Sequence, residues 1–404
     1  MKNRMRRTTA LLAVTAFGVA GLAGCNRETE NAGDSSEKVV KVGVVVPLSG
    51  DVSSFGQGIK NSVDLAINQA NQAGKVKGWK IVLDAQDDGA KPEQGANAAN
   101  KLASDPTVGG VIGTYNSSVA QQVAPILKNA RIPQISPANT NPGLTLGPED
   151  KPGRVWDTYF RVCTTDNAQG PFAAQYAYKT AALKSVVTVN DTKAYGAGLT
   201  KTFEAEFKKQ GGTILSSETV APNDKDFGGL VTKITQLKPD FVFFGGEVGQ
   251  GAPLSAQLGQ GGFKGPLMGG DGIQSADFTS GGGRPGDLAT SVGAPVAKLP
   301  TAKAYLDAYK AAGYKEDHEA YGALAYDAAN ILIDGLAKAL ASAGDVQSAR
   351  PEIIKAVQAT SGYAGAAGTT TFDQYGDTSN KTLTANKVEG GAWKDVYTGN
   401  VEAA

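Results

Sequence analysis

The chain has 404 residues, 41% of them hydrophobic, and its 52 Gly follow no collagen period, so two or three packed domains are expected and a collagenous or disordered chain is excluded. Charge is balanced at 39 Lys and Arg against 39 Asp and Glu, which argues against a general affinity for nucleic acid. One His (His318) and two Cys (Cys25, Cys163) exclude His-rich metal sites, four-thiolate clusters and a disulfide framework.

Lys2, Arg4, Arg6 and Arg7 precede an apolar stretch from Ala10 to Ala23, which runs into Leu22-Ala23-Gly24-Cys25. Such a stretch is too short to span a bilayer core of roughly 30 Å and reads as a secretory signal over residues 1–24. Leu-Ala-Gly-Cys resembles the lipobox of bacterial lipoproteins, where the Cys is acylated and becomes the first residue. Cys25 is therefore the expected lipid attachment, and residues 25–37 (polar, without apolar periodicity) a tether reaching about 19 Å. Signal removal leaves 35 basic residues against 39 acidic ones. Acylation at Cys25 would hold the protein on the extracytoplasmic face of the membrane, on the periplasmic or cell-wall side. Cys163 is then the sole thiol of the folded part and reads as packed, because a single His leaves few ways to activate it.

Strands and helices alternate from residue 39. Val39–Pro47 is a mostly apolar strand of the kind buried on both faces of a parallel sheet. Ile59, Val63, Ala66, Ile67 and Ala70 form one helical stripe that Gly74 ends. Strands at Ile81–Asp84, Val108–Thr114 and Ile132–Ser136 then alternate with helices at Pro92–Ala103 and Ser118–Asn129. This βα rhythm predicts a doubly wound α/β layer. A Pro/Gly-rich stretch, Thr140–Gly153, breaks the rhythm. It restarts with a strand at Tyr159–Val162, a helix at Pro171–Lys179, and strands at Ser185–Asn190, Thr213–Val220, Asp240–Phe244 and Pro266–Gly269. Helices at Tyr195–Gln210, Phe227–Leu237 and Ala252–Leu258 fall between them. A loose run, Ser280–Asp287, leads to helices at Ala302–Ala312, Tyr321–Ala343 and Pro351–Gln358. Strands at Leu383–Val388 and Trp393–Tyr397 close the chain. The last helices and hairpin make a poor domain alone and are expected to complete the two lobes.

Catalytic and cofactor motifs fail. Gly259-Gln260-Gly261 is not continued by Gly at position 264, and no phosphate-binding loop or nucleophile elbow occurs. Asp84 to Asp88 resembles the start of a calcium loop, yet position 95 is Gly where a bidentate Glu is required. Neither a metal nor another cofactor is expected, and no enzyme activity.

Three polar clusters stand at the C-terminal ends of strands, where open α/β sheets bind ligands. Thr114-Tyr115-Asn116-Ser117-Ser118 opens a helix, whose unpaired N–H groups suit a carboxylate. Asn116 or Ser117 acting only as a helix cap is the alternative. Ser136-Pro137-Ala138-Asn139-Thr140 ends the next strand. Gly269-Gly270-Asp271-Gly272 sets an acid among glycines, or merely in a turn. A carboxylate site on one lobe and an acid on the other complement a zwitterion such as an amino acid. Phe55, Tyr195 and Tyr321 are aromatic candidates for a side-chain pocket or for the core.

In order and spacing, VGVVVPLSGDVSSFG, DDGAKPEQGANAANKL, VIGTYNSS, IPQISPANTNPGLT, FRVCTTDNAQGPFAA, NDTKAYGAGL, DFVFFGGEVG and LMGGDG make the chain similar to the leucine/isoleucine/valine-binding family of type I periplasmic binding proteins, the solute receptors of ABC importers. The resemblance implies two α/β lobes joined by three crossings around a central cleft that closes by hinge motion. The implied lobes are 38–158 with 295–372, and 159–294 with 373–404. It further implies that Ser117 and Thr140 hold the α-carboxylate and α-ammonium, Ala138 offers a backbone contact, and Asp271 pairs with the ammonium where relatives often carry Glu. Tyr195 faces the ligand from the second lobe, and Phe55 and Tyr321 line the side-chain pocket. Glu247 stands where relatives of branched-chain specificity tend to place Tyr, so it binds the ammonium too or selects a polar or basic side chain. Asn116 replaces one Cys of the family's disulfide.

The expected function is a lipid-anchored, monomeric solute receptor that binds an amino acid, branched-chain or related, and delivers it to an ABC permease and its ATPase. The alternatives are another small ligand on the same fold (an amide, urea or an aromatic acid) or a sensor that signals by the same closure.

Overall fold

The computed structural model describes residues 38–148 and 151–402; the signal, Cys25 and the tether lie outside the described residues. In chain order the first part comprises β1 (Lys38–Val46), α1 (Ser53–Gln72), β2 (Trp79–Asp87), α2 (Pro92–Ser104), β3 (Val108–Gly113), α3 (Ser117–Asn129), β4 (Gln134–Ser136), the single turn α4 (Gly143–Leu146) and β5 (Tyr159–Arg161). These strands form one parallel sheet of order β2-β1-β3-β4-β5. β1 carries Val42 to Val46 with each Val fully buried, as a central parallel strand covered on both faces requires. The expectation that Tyr159–Val162 opens the second lobe is corrected here. β5 pairs with β4 as the outer strand of the first sheet, so that sheet extends three residues beyond 158.

The second part runs α5 (Asp166–Gln175), β6 (Ser185–Asn190), α6 (Ala194–Lys209), β7 (Thr213–Thr219), α7 (Gly228–Leu237), β8 (Phe241–Gly245), α8 (Val248–Gln260), β9 (Leu267–Gly269), α9 (Ala276–Ser280) and β10 (Leu288–Val292). A helical stretch follows, α10 (Lys303–Ala312), α11 (Gly322–Leu340) and α12 (Val346–Gln358), with a small hairpin, β11 (Tyr363–Gly365) and β12 (Gly368–Thr370). The chain ends on β13 (Leu383–Glu389) and β14 (Ala392–Gly399). The second sheet has the order β14-β13-β10-β9-β8-β6-β7; β13 is antiparallel to both its neighbours and the other pairs are parallel.

The helices α10 to α12 pack on the first sheet and its helix α1. α11 packs on α1 and over β3 and β4, and α12 lies on β3. Gly109 and Gly110 of β3 make this seating possible. A Cβ on Gly110 would stand 2.5 Å from Leu332 of α11, and one on Gly109 would stand 2.6 Å from Leu336. The chain therefore passes between the two sheets three times: after β5, between β10 and α10, and between β12 and β13. Among the described residues no helix is long and apolar enough to cross a membrane, and no group of His, Cys, Asp and Glu is placed to hold a metal ion.

Candidate functional site

The C-terminal ends of β3, β4, β8 and β9 converge on a small, nearly closed cavity lined by Tyr115, Asn116, Ser117, Ala138, Tyr195, Glu247, Asp271, Gly272 and Tyr321. Six of the residues expected at the site are therefore brought together: Ser117, Ala138, Tyr195, Glu247, Asp271 and Tyr321. Phe55 and Thr140 stand one layer back. Phe55 lies behind the wall, with ring centroids 5.2 Å from Tyr115 and 5.3 Å from Tyr321. Thr140 is buried, and its carbonyl accepts from the Asp166 N–H at 2.9 Å.

On the first lobe, the α3 N-terminus faces the cavity through Ser117. Neither Asn116 nor Ser117 caps it, since no side chain accepts from its first turn and that turn holds no acid. The capping alternative therefore fails. Its leading N–H groups carry the positive end of the helix dipole into the site. Ser117 Oγ accepts from the Asn141 N–H at 3.4 Å.

On the second lobe, Asp271 follows β9 in a short 3₁₀ turn and is 1% exposed. Its Oδ1 accepts from Tyr195 Oη at 2.7 Å and from Gln169 Nε2 at 3.0 Å, and its Oδ2 accepts from Tyr321 Oη at 2.8 Å. Burial pushes its pKa up, and these three hydrogen bonds pull it back down. The flanking glycines have a steric cause. A Cβ on Gly270 would lie 2.3 Å from Tyr195 Oη, and one on Gly272 would lie 2.9 Å from the same ring. Gly196 of α6 and Gly245 of β8 likewise meet backbone to backbone, which seats the start of α6, and so Tyr195, directly over β8.

Glu247 precedes α8 and bridges the lobes. Its Oε1 accepts a short hydrogen bond from Asn116 Nδ2, and its Oε2 pairs with Lys193 Nζ at 2.8 Å. Tyr321 to Asp271, Asn141 Nδ2 to the Ala194 carbonyl (2.7 Å) and Lys225 to Asp51 (2.6 Å) also cross the cleft. The last pair is largely exposed and contributes little.

Acids outnumber bases around the cavity. Burial pushes Asp191 up to about 7 with the Glu247 charge adding to the rise, pushes Asp88 up to about 7, and pushes Asp166 up to about 8. Lys193 is held charged by Glu247 against the cost of its own burial. Asp88 has one oxygen on the Ala90 N–H at 2.9 Å and the other without a partner among the described residues. Its folded pKa lies above the ordinary value of 3.8. The stability it lends is thus present at acid pH and lost as pH rises through about 7. Asp88→Asn is expected to stabilise more at pH 8 than at pH 5 in urea melts; an equal change at both pH values would refute this.

Tyr115, Asn116, Lys193, Gln169 and Gly272 complete the site and were not among the expected ligand contacts. Tyr115 and Asn116 adjoin Ser117 in a cluster the sequence does display. Lys193 and Gln169 have no local signature, because only packing brings them to Glu247 and Asp271.

Residues 39–392 match the periplasmic binding protein family model. A Leu/Ile/Val-binding protein homolog of Brucella melitensis is 32% identical over 354 residues, 87% of this chain and 92% of the relative. Among solved structures, the leucine-binding protein LivK of Thermotoga maritima superposes with a TM-score of 0.79 at 28% identity, over 89% of this chain and 98% of that one. The branched-chain amino acid transporter substrate-binding protein LivJ of Streptococcus pneumoniae, solved with isoleucine, also gives 0.79 at 26% identity, over 90% of this chain and 99% of that one. Two sheets joined by three passages, a cleft at their strand ends and a family match spanning both lobes lead to one conclusion: the chain belongs to the periplasmic binding protein family.

Proposed function

We propose that this protein is the lipid-anchored, extracytoplasmic solute receptor of an ABC importer, binding an α-amino acid of branched-chain or related size between lobes that close on it. The observation that carries this reading is the pairing of opposites across one cavity. An uncapped helix N-terminus with Ser117 stands on one lobe, and the buried Asp271 carboxylate on the other. The α-carboxylate goes to Ser117 and the α3 N–H groups, with Thr140 in the layer behind them, and the α-ammonium to Asp271 and the Ala138 backbone. Tyr195 covers the ligand from the second lobe, while Tyr321, with Phe55 behind it, walls the side-chain end beside Glu247. The lobes are 38–161 with 295–372 and 162–294 with 373–404, and they hinge at the three passages. The protein acts as a monomer, without chemistry of its own, and hands its ligand to a permease driven by an ATPase. Relatives named for Leu, Ile and Val support the ligand class.

Thermal shift of the protein, unfolded and refolded to strip carried ligand, tests the reading against the twenty amino acids. Ligand at about 100 times Kd adds roughly 2.7 kcal/mol, a rise of several degrees. No shift with any of them would remove the amino-acid assignment. For the anchor, cells labelled with a radioactive fatty acid are expected to label the wild type and not Cys25→Ser; equal labelling would remove Cys25 as the attachment.

A further inference from the structure

The far wall of the cleft carries an acceptor with nothing to accept from. Asn116 Nδ2 donates to Glu247 Oε1, and a carboxylate cannot donate in return, so the amide orientation is fixed with Oδ1 turned away from Glu247. Asn116 is 3% exposed, lines the cavity, and its Oδ1 has no hydrogen-bond partner among the described residues. Glu247, by contrast, has both oxygens engaged, by Asn116 and by Lys193. Above them Tyr115 and Tyr321 meet edge to face, ring centroids 5.4 Å apart, with Phe55 wedged behind both. Three interlocked rings do not yield as aliphatic side chains do, and they keep this end of the cavity short.

We propose that the side-chain end of this cleft selects a short side chain that donates a hydrogen bond, a hydroxyl or a carboxamide, over a branched aliphatic one of equal size. The inference rests on the reading of the cleft as an amino-acid site and narrows it. Asn116 Oδ1 is already closed to water, so a hydroxyl or carboxamide N–H in the cavity gives it a partner, whereas an apolar side chain leaves it unpaired. A carboxylate side chain brings like charge against Glu247 and Asp271. A long cationic one has to displace Lys193 from Glu247 and is too long for the aromatic wall.

Threonine and valine are close in shape and differ in the donor, and asparagine and leucine form a second pair of similar size. Calorimetry on the full chain, stripped by unfolding and refolding, is expected to give threonine at least about tenfold tighter than valine, and asparagine tighter than leucine. In Asn116→Leu the threonine-to-valine ratio is expected to fall below about threefold, since the acceptor is gone. Valine and leucine binding as tightly as their partners, or more tightly, would overturn this inference and leave the amino-acid reading standing. Binding of no amino acid would overturn both. An unchanged ratio in Asn116→Leu would overturn the role of Asn116, and should that variant fail to fold, the wild-type ratios alone decide.

Discussion

Asp271→Asn is expected to weaken amino-acid binding by at least about tenfold while leaving the protein folded. The carboxylate is 1% exposed and receives hydrogen bonds from Tyr195, Tyr321 and Gln169, all of them neutral donors. No Lys or Arg among the described residues is hydrogen-bonded to it, so its charge is compensated in the complex by the ligand's ammonium. A charge-assisted hydrogen bond of this kind is worth about 1.5–3 kcal/mol, which is roughly 10- to 150-fold in affinity. Asn keeps the size and most of the shape while removing the charge and turning one accepting oxygen into an NH2 donor, which a reoriented Tyr hydroxyl can meet, and so separates binding from folding. Because burial raises the Asp271 pKa, affinity is also expected to decline on acidification at a higher pH than an ordinary Asp would dictate. Calorimetry that finds Asp271→Asn within twofold of the wild type would show that the ammonium is held elsewhere.

Arg161→Ala is expected to destabilise the protein by about 3–5 kcal/mol, the usual cost of stranding one partner of a buried ion pair. Arg161 is fully buried at the end of β5, and its Nε lies 2.5 Å from Asp377 Oδ1. Its Nη1 donates to the carbonyls of Asn139 (2.9 Å) and Asn141 (2.8 Å), and its Nη2 to Thr145 Oγ1. One side chain thus ties the first passage between the sheets to the third, and holds the loop bearing Ala138 and Thr140 against both. Removing it leaves Asp377 buried without its counter-charge and takes one donor from each of the Asn139 and Asn141 carbonyls. Urea melts should show the loss, and amino-acid affinity should fall with it because the loop carries part of the site. Replacing both partners, as Arg161→Met with Asp377→Leu, should recover part of the stability without recovering the affinity. A loss below 1 kcal/mol in Arg161→Ala would mean that the pair does not lock the passages.

The two sheets were legible because their strands are apolar runs of a length only buried parallel strands need, as in Val42–Val46 and Phe241–Phe244. β10 was not. Leu288-Ala-Thr-Ser-Val292 follows a glycine-rich run and carries small residues, and it is a strand because β9 and β13 pair with its two edges. The run before it looked loose yet ends on Asp287, a buried acceptor for the Leu267 and Arg284 N–H groups at 2.8 and 2.7 Å. α5 is expected from Pro171 but begins at Asp166, and Pro171 sits inside it at the cost of one intrahelical hydrogen bond. At the site, the oddity of Glu247 was visible in the sequence. Its consequence was not, because Asn116 lies 131 residues away and meets it across the cleft, and Lys193 lies 54 residues away and meets it through the packing of the second lobe.

The central claim is that a zwitterion is held with its carboxylate at the α3 N-terminus and its ammonium on Asp271. Calorimetry with the tightest-binding amino acid, the amine lacking its carboxylate and the acid lacking its ammonium measures this directly. Each analogue is expected to bind at least about tenfold more weakly than the parent. In Asp271→Asn the penalty for losing the ammonium should largely vanish while the penalty for losing the carboxylate remains, as coupling between one residue and one ligand group requires. A deaminated acid that binds the wild type as tightly as the amino acid would contradict the account.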